Sequence, residues 1–295
     1  MSEAISKRDL LLRSLIGRYE AVRQGARFGE LKAAFTKEES DRLSLAPAVE
    51  IDSQSLSLGV GSLLEAIHSS WVSLLVAAES PPLQGVICGA LPPRLRRCLT
   101  EKGVASDGIE EVVPSGEVSR ALLGRLYRRL GVEGIIPQPL LPPSPLNELL
   151  TLDQPLLVRV IGVLGLYEIA ALLRRQILPA VHKSVLRLLT EGEISQLKGS
   201  LQQQDILPPP KIDLIQWTSS RRRFYHLLQL RGLMRFRYCL TTAHPSLVWH
   251  LAHRLDVARG RTLFGAPQRE VTLELERRLV EQLLGVVHQL KEAAL

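Results

Sequence analysis

Arginines supply the densest chemistry in this 295-residue chain. Arg221-Arg222-Arg223-Phe224-Tyr225-His226 is followed by Arg231, Arg235 and Arg237. Guanidiniums on one face displace counterions from a nucleic acid, and neighbouring aromatics can stack on bases. The same charges suit an acidic protein partner or simply a solvated helix face. Phe224 fits an inward helical position, so the aromatic part of a nucleic-acid reader is not specified by the sequence.

Glu79-Ser80-Pro81-Pro82 and, eleven residues on, Pro92-Pro93-Arg94 are the second feature. Proline fixes φ, so such turns are ordered before a partner arrives and lose less entropy on docking. Glu79 would supply a carboxylate to that contact. The alternative reading is a simple pair of helix breaks.

Cys239, His244, His250 and His253 could hold a metal, since residues three apart share a helix face. Their spacing matches no closed zinc pattern, and capping or core roles account for them. No Gly-Lys-Ser/Thr phosphate loop, Gly-x-Ser-x-Gly elbow, His-Glu-x-x-His pair or Cys-x-x-Cys pair occurs. The sequence therefore gives no catalytic residue, no cofactor site and no metal site, and the expectation is a protein that is not an enzyme.

These residues must be positioned by helices. Apolar residues make up 45% of the chain and aromatics only 4%, a Leu/Ala/Val/Ile interior that suits packed helices. The punctuation Leu91-Pro92 then Leu99-Thr100-Glu101 recurs as Leu178-Pro179 then Leu189-Thr190-Glu191, which points to a tandem helical repeat. Periodicity predicts helices over 6–23 and 28–35, a polar linker over 40–59, and one stripe from Leu63 to Leu75. Helices should start at Pro81 or Pro82, at Pro93, near Leu122, at Asp153, at Pro179, at Pro245 and near Val271. Thr190 with Glu193 matches a capping box. Glycine is expected to stop helices at four places: Gly131 after Leu130, Gly165 after Val163, Gly232 at the end of a helix over 212–233, and Gly260 after Leu255.

Five prolines within 132–146 predict a semi-rigid connector. The expected organisation is an N-terminal arm over 1–55, a first helical module over 56–131, the connector over 132–146, a second module over 147–210, and a C-terminal helical region over 211–295. Three cysteines among apolar neighbours fit reduced core residues of the cytoplasm. The most apolar stretch, Val160 to Leu173, follows Arg159 and contains Glu168, so a buried helix is expected there rather than a membrane span. Charged residues near the start argue against a secretory signal. The net charge of +7 permits acidic proteins, anionic lipid or nucleic acid as partners.

The stretch Glu79-Ser80-Pro81-Pro82-Leu83, Val86-Ile87 and Leu91-Pro92-Pro93-Arg94-Leu95 resembles the middle-domain signature of the flagellar switch protein FliG. In that family a Glu-His-Pro-Gln turn precedes an apolar helix ending at a Leu-Pro-Pro step. Here Ser80 stands for the histidine and Pro82 for the glutamine. Leu164-Gly165-Leu166, with Ala171, Leu172, Arg174 and Arg175, is similar to the K subunit (SctK) of type III secretion sorting platforms. The resemblance covers roughly residues 60–235 and implies an all-α fold of tandem armadillo-like modules. It also implies a cytoplasmic adaptor, peripheral to the inner membrane, that joins a membrane ring to the platform pods. The family's ordered series of torque charges is not found in 236–295, which favours the injectisome adaptor over a rotor. Its docking residues would be Glu79, Ser80, Pro81, Pro82, Pro92, Pro93 and Arg94 on one side and Arg221, Arg222 and Arg223 on the other. A basic helical nucleic-acid-binding protein is the alternative.

Overall fold

The computed structural model describes residues 60–104, 114–132, 134–176, 178–203, 206–210, 212–265 and 271–293, with positions 36, 37 and 41. The helices expected over 6–23 and 28–35, and nearly all of the linker over 40–59, lie outside the described residues. The chain divides into two compact units, 1–65 and 66–295. Among the described residues every regular element is helical, so the all-α expectation holds.

Helix α1, Val60–Ala66, is separated from α2, Ser69–Ala77, by His68, whose Nδ1 accepts from the Ser70 amide at 3.1 Å as an N-cap. The single stripe expected from Leu63 to Leu75 is therefore two helices, and Leu74 is exposed. Helices α3, Pro81–Ala90, α4, Pro93–Glu101, and α5, Gly116–Arg129, complete a small bundle with α2. Each of α3 and α4 starts on proline, where a missing N–H costs nothing. Arg96 of α4 donates to the last carbonyls of α3, Cys88 at 3.1 Å and Gly89 at 2.9 Å, and so fixes the Leu91-Pro92-Pro93 step. Gly131, with φ of 69°, follows the end of α5 as expected.

The 132–146 stretch is pinned rather than extended. It carries a 3-10 turn at Gln138–Leu140, and a second begins at Pro145. Leu141 and Leu146 are buried in the main core. The Ile136 amide donates to Ser246 Oγ, and the Ile136 carbonyl bonds His250 Nε2. Prolines fix local dihedrals there, but the leucines between them find apolar partners and turn the stretch into part of the wall.

Helix α6, Gln154–Arg175, is the spine, capped by Asp153 accepting from the Leu156 amide. By length and composition it could cross a membrane, with a mean hydropathy of 2.1 over its most apolar 18 residues, yet thirteen residues of the helix are buried against protein. Short helices α7, Pro179–Leu188, α8, Glu191–Gln202, and α9, Leu214–Trp217, surround its C-terminal half. Helices α10, Arg221–Tyr238, α11, Pro245–Arg254, α12, Val257–Phe264, and α13, Leu273–Glu292, follow. The capping box at Thr190 and Glu193 is formed.

Two cores meet along α6 and α10. Leu157, Val160, Ile161 and Leu164 pack with Leu233, Phe236 and the inward face of α13, whereas Leu166, Ile169 and Leu173 pack with Phe224, Leu227 and Leu228. Residues 147–210 therefore share their interior with 211–295 instead of closing a core of their own. Three glycines expected to end helices lie inside them. Gly165 is within α6, Gly232 within α10 and Gly260 within α12. A Cβ on Gly165 would stand 2.2 Å from the Leu228 carbonyl oxygen, and one on Gly260 2.4 Å from that of Ala252. These glycines permit close backbone approach between helices, a tertiary demand that local sequence does not distinguish from a stop signal.

The α2–α5 bundle is tied to α11 by polar contacts. Trp71 Nε1 donates to the Leu255 carbonyl, the His68 amide to that of His253, and Trp249 Nε1 to that of Leu130.

Candidate functional site

The first proline turn presents prolines but not its carboxylate. Ser80, Pro81 and Pro82 are exposed at the start of α3. Glu79 is turned inward, its side chain 10% exposed, and accepts from Arg125 at 3.1 Å and from Arg129 of the same helix. The Glu79 carbonyl also accepts from Gln84 Nε2 at 2.8 Å. Glu79 thus ties α5 to the turn, so its carboxylate is already engaged. At the second step Pro93 and Arg94 are exposed, and Pro92 is half-buried.

The arginine cluster separates into two groups. Arg221, Arg222 and Arg223 are exposed in the first turn of α10, which contains no acidic residue. The N-terminal end of a helix carries partial positive charge, so three cations there oppose the helix dipole and their own mutual repulsion. Ser220 supplies the cap by accepting from the Arg223 amide at 3.2 Å. Arg221 lies 5.5 Å from the centre of the Tyr225 ring.

Arg231 and Arg235 turn inward to a buried carboxylate instead. Glu168 Oε2 accepts from Arg231 Nη2 and Oε1 from Arg235 Nη1, both at 2.7 Å. Arg235 is 1% exposed and also donates to Gln282 Oε1 of α13 at 2.6 and 2.9 Å, with Tyr167 beneath its guanidinium. Charges this deep persist only when paired and fully hydrogen-bonded. Arg237 is half-buried beside Gly265, and its Nε and Nη2 find no acceptor. The basic face expected over 221–237 is therefore its first turn.

Cys239 and the histidines are absorbed by the fold. Burial pushes the Cys239 thiol up to about 12, and its Sγ donates to the Arg235 carbonyl at 3.3 Å. His244 caps α11 by accepting from the Ser246 amide. His253 is stacked between Trp249 and Trp71, with ring centres 4.0 and 4.4 Å away, and burial pushes its pKa down to about 4. Among the described residues no three His, Cys, Asp or Glu side chains converge as a metal site.

One cleft, of about 340 Å³, lies between α6, α8 and α10 and was not foreseen from the sequence. Val163, Leu166 and Leu228 contribute apolar lining, Arg159 and Gln196 polar lining, and Gly162 and Gly192 leave two positions without a side chain. Tyr225 donates to Glu193 Oε2 at 2.6 Å, and the same oxygen accepts from the Thr190 amide and hydroxyl at 2.8 Å. Burial, reinforced by that hydrogen bond, pushes the Tyr225 phenol up. Gln229 also lines the cleft, and its Oε1 is buried with no donor. The capping box was the only part of this site with a sequence signal, because it is local in the chain. The remaining residues come together through the packing of three helices.

No family model, no curated protein and no solved structure matches the chain. The class defined by the fold is a packed all-α protein, with exposed proline turns and a basic helix start as its most distinctive surfaces.

Proposed function

We propose that this chain is a non-enzymatic scaffold: a cytoplasmic adaptor of a type III secretion sorting platform, held at the inner membrane through protein contacts, with FliG-like, armadillo-type helical modules. It would join the cytoplasmic part of the membrane ring to the platform pods. The observation that carries this reading is the exposed arginine triplet in the first turn of α10, which holds no acidic residue, a local cost that an acidic partner surface relieves. The exposed Pro81-Pro82 turn supports a second contact, since its dihedrals are set in advance. Glu168 with Arg231 and Arg235, and Glu193 with Tyr225, are engaged with one another, which favours holding a shape over turning over a substrate.

The test mixes the purified full chain with the purified cytoplasmic ring domain and the pod protein and follows co-elution. Both partners should bind. The triple reversal Arg221→Glu, Arg222→Glu, Arg223→Glu should release one, and Pro81→Ala with Pro82→Ala should weaken the other, while both variants still unfold cooperatively. A folded chain that binds neither protein rejects the assignment. Retention of a short duplex at physiological salt, with steep loss as salt rises, would make the chain a nucleic-acid binder instead. The burial of Arg235 and the inward turn of Arg231 remove two cations from the region that would serve that role.

A further inference from the structure

We propose that the cleft between α6, α8 and α10 is a peptide-docking site that takes an apolar side chain carried on an acidic segment of a partner protein. This rests on the scaffold reading above and gives it a specific site.

Three observations converge on that occupant. The cleft is at the small end of ligand-sized cavities, with room for a side chain or two, and its apolar residues Val163, Leu166 and Leu228 suit a hydrocarbon anchor. Gln229 lines the cleft, and its Oε1 is buried beneath the surface with nothing donating to it. A native fold rarely leaves such an atom unsatisfied, and a turn of the Gln229 side chain would present it to a peptide N–H, the donor that an incoming chain brings beside every side chain.

Arginines lie beside the cleft. Arg159 of α6 lines the cleft and is exposed. Arg221 stacks on Tyr225, itself a lining residue, and Arg222 precedes Tyr225 by three positions and Gln229 by seven, which sets it on the same face of α10. The carboxylate within the site, Glu193, is held by three donors from the protein. Acidic residues flanking the anchor would meet these arginines and relieve the unfavourable helix start.

Gly192 gives a clean way to close the site. It lines the cleft at the second position of α8, and a Cβ added there meets nothing within 4 Å, so Gly192→Leu adds bulk to the lining with no clash at its Cβ. The probes are short fluorescein-labelled peptides with a central Leu, Ile, Met or Phe flanked by aspartates, read by anisotropy against the full chain. At least one should bind with a dissociation constant on the order of 10–100 μM and weaken about tenfold in Gly192→Leu and in Arg159→Glu. Peptides with Ala at the centre, or with Lys flanks, should not bind. Unfolding temperatures of both variants confirm that the fold is intact.

The proposal is overturned if every peptide fails at millimolar concentration, if the Ala-centred peptide binds equally, or if Gly192→Leu leaves binding unchanged. A short single-stranded oligonucleotide or inorganic phosphate that displaces the peptide at its own concentration would also overturn it. The two levels separate cleanly. Ring or pod binding that ignores Gly192→Leu removes the cleft while the adaptor stands, and peptide binding without ring or pod binding keeps the cleft and removes the adaptor.

Discussion

Gly232 and Gly165 meet at the crossing of the two longest-buried helices: a Cβ on Gly232 would stand 3.0 Å from the Gly165 amide nitrogen and 1.9 Å from the Ile161 carbonyl oxygen. Those neighbours are backbone, so no rotamer change can make room. Gly232→Ala should destabilise the chain by on the order of 3 kcal/mol in urea unfolding. Gly199 and Gly285, where an added Cβ meets nothing, are the controls. Alanine at either helical position should stabilise by about 0.5–1 kcal/mol. Equal behaviour of all these variants would remove the crossing from the account.

The carboxylate one turn beyond that crossing holds α6, α10 and α13 in register. Glu168→Ala would leave Arg235 buried without its carboxylate and should cost about 3–5 kcal/mol. Replacing the pair together, Glu168→Leu with Arg235→Met, should recover part of the loss, because the fully buried charge is gone and only the partly exposed Arg231 is left without its carboxylate. A double variant as unstable as the single one would show that packing, and not the uncompensated charge, sets the cost.

Acid should loosen the seam between the α2–α5 bundle and α11. Folded His253 titrates near 4, below its ordinary 6.5, because burial between the indoles disfavours the imidazolium. Burial also lowers His68 and His250. Between those two pH values the unfolded chain binds more protons than the folded one, so stability falls as pH drops from about 6.5 to about 4. His253 alone accounts for on the order of 3 kcal/mol across that window. Unfolding midpoints measured at pH 7, 5 and 4 should decline, and His253→Phe, which keeps a ring between the tryptophans, should flatten the decline.

Thiol labelling reports the same interior. Cys98 is half-exposed and should react with an aromatic disulfide reagent in the native state, whereas Cys239 is fully buried with its thiol pushed up to about 12. Cys239 should react only at the rate of unfolding. Fast native labelling of Cys239 would mean that the main core opens far more readily than its packing implies.

The amino-acid sequence by itself determined the all-α class and most of the starts of the described helices. Asp153, Thr190 with Glu193, and the prolines at 81, 93, 179 and 245 act on backbone groups within a few residues, so their effect is legible locally. Gly131 was legible for the same reason, since its positive φ is a property of its own backbone. Tertiary packing decided the rest. Gly165, Gly232 and Gly260 look like stops until the partner helix that needs their missing side chains is in place. Arg231 and Arg235 read as surface charge until Glu168, more than sixty residues away, is found beneath them. The connector became a wall and three distant helices enclosed a cleft, because burial and charge pairing depend on which segments meet in space, and residue spacing along the chain does not record that.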